Sequence, residues 1–312
     1  MLNRPLVLYH AGCYDGFTAA WCAWKKHGDQ ADYLPVQYGQ PPPDVTDRNV
    51  EVLDFCYPHD VLQEMARKAR YIRVLDHHKS RARDMAGRYW EEGDEEKDFS
   101  AGFGNLICFY HPKKSGARLA WEHYQTNKEA PFLVDLIQDR DLWLHEQPYS
   151  KELNAWIRTY DFDFKTWSWM ADGLVRPWPS AHLDEKGTSR AGWACAGLAV
   201  QARQQGQAVL RAQAQLVANI CKTAREVCIG GHQVLAANTS CLFSEVAEKL
   251  AEGMPFGAAW FQRSDGKFQW SLRSREGGVD VSEVARAYGG GGHAAAAGFE
   301  TIALHPELRK TL

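Results

Sequence analysis

Leu6-Val7-Leu8-Tyr9-His10-Ala11-Gly12-Cys13-Tyr14-Asp15-Gly16 is the stretch whose reading decides the fold class. Four apolar or aromatic residues in a row read as a buried strand, His10 to Asp15 as a polar turn, and residues 16–27 carry apolar side chains at helical spacing. The same strand rhythm returns at residues 32–36, 50–55 and 71–75. Strands that alternate with helical patterns in this way predict βαβ units and a mainly parallel sheet, whose ligands collect at the carboxyl ends of the strands.

Further along, residues 88–104 are acidic and contain glycine, with Glu91-Glu92-Gly93-Asp94-Glu95-Glu96-Lys97-Asp98 at their centre. They lack periodicity and predict a mobile surface loop. A strand at 106–110 follows, then Ser115 as cap of a helix running to Tyr124, then a helix over 131–139. Residues 160–189 are rich in Trp, Pro, Asp and Gly, and the domain boundary is placed at their end. Trp167, Trp169 and Trp178 in this linker read as packing residues, with base stacking as the alternative. A long helix over 190–222 leads into strands at 226–229, 234–237, 256–261 and 268–272 and helices at 245–251 and 281–288. The expected architecture is thus α/β, with a parallel-sheet domain in residues 1–189 and a smaller α/β domain in 190–312, the active-site cleft lying between them.

Bulk properties limit the function. The 312 residues are 45% hydrophobic and 24% charged, and no apolar run approaches the roughly 18 residues that span a bilayer. The start of the chain runs straight into a strand without a secretory pattern, so a cytoplasmic location and no membrane partner are expected. The eight cysteines are scattered without a Cys-x-x-Cys pair, which reads as buried thiols rather than a disulfide framework. A net charge of −3 argues against a protein that coats long duplex. Its distribution is uneven: residues 187–312 carry 13 Lys and Arg against 10 Asp and Glu, whereas residues 1–186 carry 23 against 29.

Four segments set metal-ligating residue types at element ends: His10-Ala11-Gly12-Cys13-Tyr14-Asp15, Asp54, Asp76-His77-His78, and Asp139-Arg140-Asp141. A lone Asp after a strand is usually a turn residue and a lone His a satisfied polar one. Three strands ending in Asp or His along one sheet edge call for another explanation. Carboxylates gathered there repel one another unless a cation neutralises them. Carboxylate plus imidazole without a thiolate cluster suits Mn2+ or Mg2+, and two such ions about 3.5–4 Å apart activate water for attack at phosphorus.

Asp76-His77-His78 after an apolar strand, with His10, Asp15-Gly16, Asp54 and Asp139-Arg140-Asp141-Leu142-Trp143, resembles the DHH phosphoesterase superfamily. Ser271-Leu272-Arg273-Ser274, Val279-Asp280-Val281-Ser282, Gly289-Gly290-Gly291-Gly292-His293 and Ala297-Gly298-Phe299 are similar to its DHH-associated C-terminal domain. The motifs follow in order over nearly the whole chain. The resemblance implies that His10, Asp15, Asp54, His77 and Asp139 are metal ligands, with Asp54 bridging two ions. It implies that Asp76 orients a histidine, that His78 lies near the substrate phosphate, and that Arg273, Ser274, Gly290, Gly291, Gly292 and His293 hold substrate. Two Mn2+ ions are the implied cofactor, with Mg2+ or Co2+ as alternatives. Two positions depart from the pattern: Ala294 stands where proline is common, and Cys13 where many members have the first carboxylate of an Asp-x-Asp pair. The Cys13 thiol either ligates as thiolate, drawing softer metals, or stands by; the sequence favours the bystander.

The expected activity is hydrolysis of short single-stranded oligonucleotides or dinucleotides in the manner of a nanoRNase or oligoribonuclease, an exonuclease releasing mononucleotides. A cyclic dinucleotide or 3′-phosphoadenosine phosphate is the alternative substrate. A nucleotide sensor without catalysis is the rival from another class, and a homodimer is compatible with the sequence.

Overall fold

A computed structural model describes residues 4–176, 197–275 and 277–304. Trp178 and the boundary expected at 189 lie outside them. The chain divides into two compact units, Met1–Leu210 and Arg211–Leu312.

Unit 1 is built in chain order from β1 (Leu6–His10), α1 (Tyr14–His27), β2 (Asp32–Val36), β3 (Asn49–Leu53), α2 (His59–Lys68), β4 (Tyr71–Asp76), α3 (Ala82–Ala86), β5 (Phe99–Phe103), β6 (Leu106–Tyr110), α4 (Gly116–Tyr124), α5 (Phe132–Asp141), α6 (Ser150–Ile157) and α7 (Phe164–Gly173). Its six strands form one sheet in the order β2-β1-β3-β4-β6-β5. All neighbours are parallel except β5 and β6. From β1 the chain moves outward to β2, then returns past β1 to lay down β3 and β4. The strand order therefore reverses between β1 and β3, and in open α/β sheets the crevice beyond the strand ends at such a reversal is where ligands bind.

Parallel strands are covered on both faces, and the side chains alternate accordingly. Val7, Leu53 and Leu75 pack with Trp21, Trp121, Phe132, Leu136, Trp156 and Trp167. Leu8, Val50, Val52, Ile72 and Val74 enter the opposite core with Leu62, Met65 and Met85. Trp167 is fully buried, lies edge-on to Phe17 and donates its indole N–H to Thr18 Oγ1 at 2.9 Å, so it packs rather than stacks on bases. Trp169 is 46% exposed.

The acidic stretch 88–104 differs from the mobile loop expected of it. β5 pairs antiparallel with β6, and single 3-10 turns occupy Gly87–Tyr89 and Asp94–Glu96. Phe99 and Phe103 pack on the second core, while Tyr110 donates its hydroxyl to Glu95 O at 2.7 Å and Lys79 pairs with Glu96 at 2.8 Å. Ser100 and Gly102, both exposed, separate the apolar residues and mask their period of two.

Helix α8 (Gly197–Cys221) runs through the boundary at Leu210. Unit 2 continues with β7 (Arg225–Ile229), β8 (His232–Asn238), α9 (Phe243–Leu250), β9 (Gly257–Gln262), β10 (Phe268–Arg273), α10 (Val281–Ala287), β11 (Gly291–His293) and β12 (Ala296–Thr301). These six strands lie in the order β11-β12-β10-β9-β8-β7, with β8 and β9 parallel across α9 and the rest antiparallel. Phe256, Trp270, Leu272 and Phe299 form its main core, and Val246 and Leu250 of α9 close a second. Among the described residues no helix is long and apolar enough to cross a membrane.

Candidate metal centre

The carboxyl ends of β1, β3 and β4 carry the site. His10 ends β1. The first turn of α1 runs close against it, because a Cβ on Gly16 would lie 2.5 Å from His10 O and 2.8 Å from His10 Cβ. Only glycine permits that approach. Asp15, in the same turn and 1% exposed, accepts backbone N–H bonds from Gly116 at 2.5 Å and Ala117 at 2.9 Å. Those two amides open α4, whose cap Ser115 accepts from Arg118 N, so a helix N-terminus holds this carboxylate.

Asp54 follows β3 with φ of 53°, a left-handed conformation that is uncommon outside glycine. Its N–H donates to Leu75 O at 2.9 Å, which fixes the turn. The carboxylate thereby reaches two histidines with different oxygens: Oδ1 lies 3.1 Å from His77 Nε2, and Oδ2 lies 3.5 Å from His10 Nδ1. Asp76, the last residue of β4 and fully buried, accepts with Oδ1 from His77 N at 2.8 Å and from His78 N at 3.3 Å, and meets His78 Nδ1 at 2.7 Å. It orients both histidines.

Asp139, expected among the ligands, takes a different position. Its Oδ1 accepts Glu146 N at 2.7 Å and Gln147 N at 3.1 Å, which shapes the loop after α5. Beside His77 stands Asp141 instead, with Oδ2 3.4 Å from His77 Nε2, and Asp15 Oδ2 is 3.6 Å from the same nitrogen. Among the described residues of unit 1, three groups of ligand-type atoms result: Asp15, His77 and Asp141; His10, Cys13 and Asp54; and Asp54, Asp76, His77 and His78. Within each group the atoms all lie within 4.8 Å of one another. Ligands about 2.0–2.3 Å from one shared ion are spaced in this way.

The electrostatics of the cluster match a cation site. Burial, then the charges of Asp54 and Asp141, push the Asp15 carboxyl well above the usual range. Burial opposes protonation of His77, but its bond to Asp54 and the charges of Asp141, Asp54 and Asp15 outweigh it and raise the imidazole to about 10. Burial likewise works to raise Asp54, yet the imidazoles of His10 and His77 beside it hold it well below the carboxylate range. Asp54 Oδ2, Asp141 Oδ2 and His10 Nδ1 are buried and lack hydrogen-bond partners. Unsatisfied polar atoms of this kind are costly in a fold; Asp54 Oδ2 faces His10 Nδ1 and Asp141 Oδ2 lies beside His77 Nε2, so the residues fit divalent ions.

In unit 2 the strand register brings the remaining expected residues together. Ala296 of β12 pairs with Arg273 of β10 on one side and with His293 of β11 on the other, so both side chains leave the same face of the sheet. The Arg273 guanidinium donates to Ser244 Oγ at 2.7 Å and Leu272 O at 2.8 Å. Ser274 N donates to Ala295 O, and Gly290 N to Ala285 O. Gly291 and Gly292 lie in β11, a short strand with no counterpart in the sequence reading.

Residues 242–310 match the DHHA1 domain family. An uncharacterised protein, R106, of Acanthamoeba polyphaga mimivirus is 25% identical over 94% of this chain; the chain spans 66% of that relative's length. Among solved structures, the DHH domain of a member of the s1p family of ribosomal proteins aligns over 95% of this chain and 82% of its own, with 12% identity and a TM-score of 0.48. The pGpG-specific phosphodiesterase PggH from Vibrio cholerae aligns over 98% and 95%, with 14% identity and a TM-score of 0.43. The DHHA1 match thus falls within unit 2, and Asp76-His77-His78 closes the fourth strand of unit 1.

Proposed function

We propose that the protein is a metal-dependent phosphodiesterase that removes mononucleotides from short single-stranded oligonucleotides. The observation that carries this reading is the position of Asp54, whose two carboxylate oxygens face two separate sets of buried and half-buried ligand-type residues. His10 and Asp54 would hold one ion, and Asp15, His77, Asp141 and the second oxygen of Asp54 the other. Such ions, Mn2+ first among them, supply Lewis acidity at a phosphoryl oxygen and an acidified water. Asp76 holds the ring of His78 and the backbone amide of His77, and His78, partly exposed, would donate to a phosphate oxygen. Arg273, Ser274 and His293 would grip the nucleotide, with the backbone of Gly290, Gly291 and Gly292 admitting close approach of a phosphate. The mildly basic C-terminal sequence supports a polyanionic substrate.

The test uses 5′-labelled di- to decanucleotides, with a cyclic dinucleotide and 3′-phosphoadenosine phosphate alongside, in Mn2+. Asp54→Asn and His77→Ala should lower mononucleotide release by about a thousandfold or more while circular dichroism stays native. Activity near the wild-type rate in either variant overturns the assignment. Two equivalents of Mn2+ bound without turnover of any of these substrates would favour a nucleotide sensor.

A further inference from the structure

Cys13 occupies the N-cap position of α1 but makes no side-chain cap bond. Capping residues use a side-chain oxygen on the first free amides, and this thiol does not take that part. Its Sγ instead lies within 4.8 Å of ligand atoms of His10 and Asp54. An independent observation marks the same spot: Asp54 is 1% exposed, and its Oδ2, which faces His10 Nδ1, is buried without a hydrogen-bond partner. The neighbouring group of Asp15, His77 and Asp141 contains no sulfur.

We infer that Cys13 is a metal ligand and that the two ion positions differ in chemistry. The position of His10, Cys13 and Asp54 Oδ2 offers nitrogen, sulfur and oxygen, a set that suits borderline ions such as Zn2+ and Co2+. The position of Asp15, His77, Asp141 and Asp54 Oδ1 offers three oxygens and one nitrogen and retains the preference for Mn2+ or Mg2+. On binding, a sulfur–metal bond forms, the S–H bond breaks and the proton leaves to solvent. The inference rests on the proposed metal centre but goes beyond it, since it assigns a soft site and predicts a mixed pair of ions.

The probe is Co2+ added to the full-length protein, read by its thiolate-to-cobalt charge-transfer absorption in the near ultraviolet. The wild type should develop this band with the first equivalent. Zn2+ should extinguish it and Mn2+ should not. Cys13→Ser and Cys13→Asp, checked for native circular dichroism, should bind Co2+ without the band. In Cys13→Ser, Zn2+ affinity should fall roughly tenfold or more, by analogy with the loss of lesser supports of a metal site. Bound metal should also shield Cys13 from alkylation in the wild type, as mass spectrometry of the labelled peptide would show. Co2+ bound without the band, a band that survives Cys13→Ser, or equal alkylation with and without metal overturns the inference and leaves the hydrolase reading standing. Failure of Co2+, Zn2+ and Mn2+ to bind at all overturns both.

Discussion

Gly116 sets the distance between α4 and the turn after β3. A Cβ there would stand 2.4 Å from Asp54 Cβ, 3.0 Å from Asp54 Cα and 2.9 Å from Asp15 Oδ2. Neither neighbour is the free end of a long side chain, so Gly116→Ala must displace the two carboxylates that define the site. Overpacking of this kind costs about 1–3 kcal/mol, readable in urea unfolding, and Mn2+ binding should weaken with it. Gly102→Ala, which meets nothing within 4 Å, is the control and should change stability by no more than about 0.5 kcal/mol. Equal behaviour of the two variants would sink the argument. Asp139 and Asp141 pose a different problem at the same scale. Residues two apart are about 200° apart around a helix, so at most one of this pair can face His77. The sequence named the Asp-x-Asp pair, but the choice depends on the phase of α5, and that helix ends at Asp141 rather than at 139. Asp141→Asn should weaken metal binding by roughly tenfold or more. Asp139→Asn should instead destabilise the loop whose amides of Glu146 and Gln147 it satisfies, with metal affinity little changed, as calorimetric titration of both variants will decide.

Among the elements, β3, β4 and α4 share a half-buried polar cluster apart from the candidate metal centre. Glu51 on β3 sits opposite Arg73 on β4, whose Nη1 donates to Glu51 Oε1 at 3.0 Å and to His123 Nε2 of α4 at 2.8 Å. Burial pushes the Glu51 carboxyl up to about 7 against the pull of Arg73. The folded protein therefore holds this proton more tightly than the unfolded chain, and stability falls as pH rises from 4.5 towards about 7. Burial, then Arg73, lowers His123 from 6.5 to about 4, so the fold keeps it neutral where the unfolded chain would take a proton. That contribution makes stability rise with pH from about 4 to 6.5. The two oppose each other, and Glu51→Gln removes one of them. The stability of this variant relative to wild type should therefore increase between pH 4.5 and 7, by about 3 kcal/mol at most; a flat difference across that range in guanidinium unfolding contradicts the account. Nothing in the sequence marked this cluster, because it depends on strand register. The strands themselves were legible where a run of β-branched and apolar residues is long, as in Val50-Glu51-Val52-Leu53 and Ile72-Arg73-Val74-Leu75. β5 was hidden by Ser100 and Gly102, and β11 by its three residues, Gly291-Gly292-His293.

At the scale of the whole molecule, order along the chain and charge were legible, since His10, Asp54 and Asp76-His77-His78 each end a strand and the basic excess lies after residue 187. What the sequence lacked was the means to see which atoms converge, since Asp15 and Gly116 meet across about a hundred residues of chain. The charge asymmetry has a measurable consequence if unit 2 grips the substrate backbone. Each phosphate neutralised on a single strand contributes about −0.7 to the slope of log affinity against log salt. Arg273, which shares a sheet face with His293, is the residue of that face able to pair with a phosphate bidentately. Arg273→Ala should raise KM for a short oligonucleotide roughly tenfold and flatten the salt slope by about 0.7, while kcat changes far less, because the bond it loses is made in both ground and transition states. Arg273→Lys keeps the charge but not the planar fork, so it should restore the slope and only part of the affinity. A slope unchanged in Arg273→Ala, with native unfolding behaviour, would mean that the backbone phosphates are held elsewhere and that this face of unit 2 reads something other than charge.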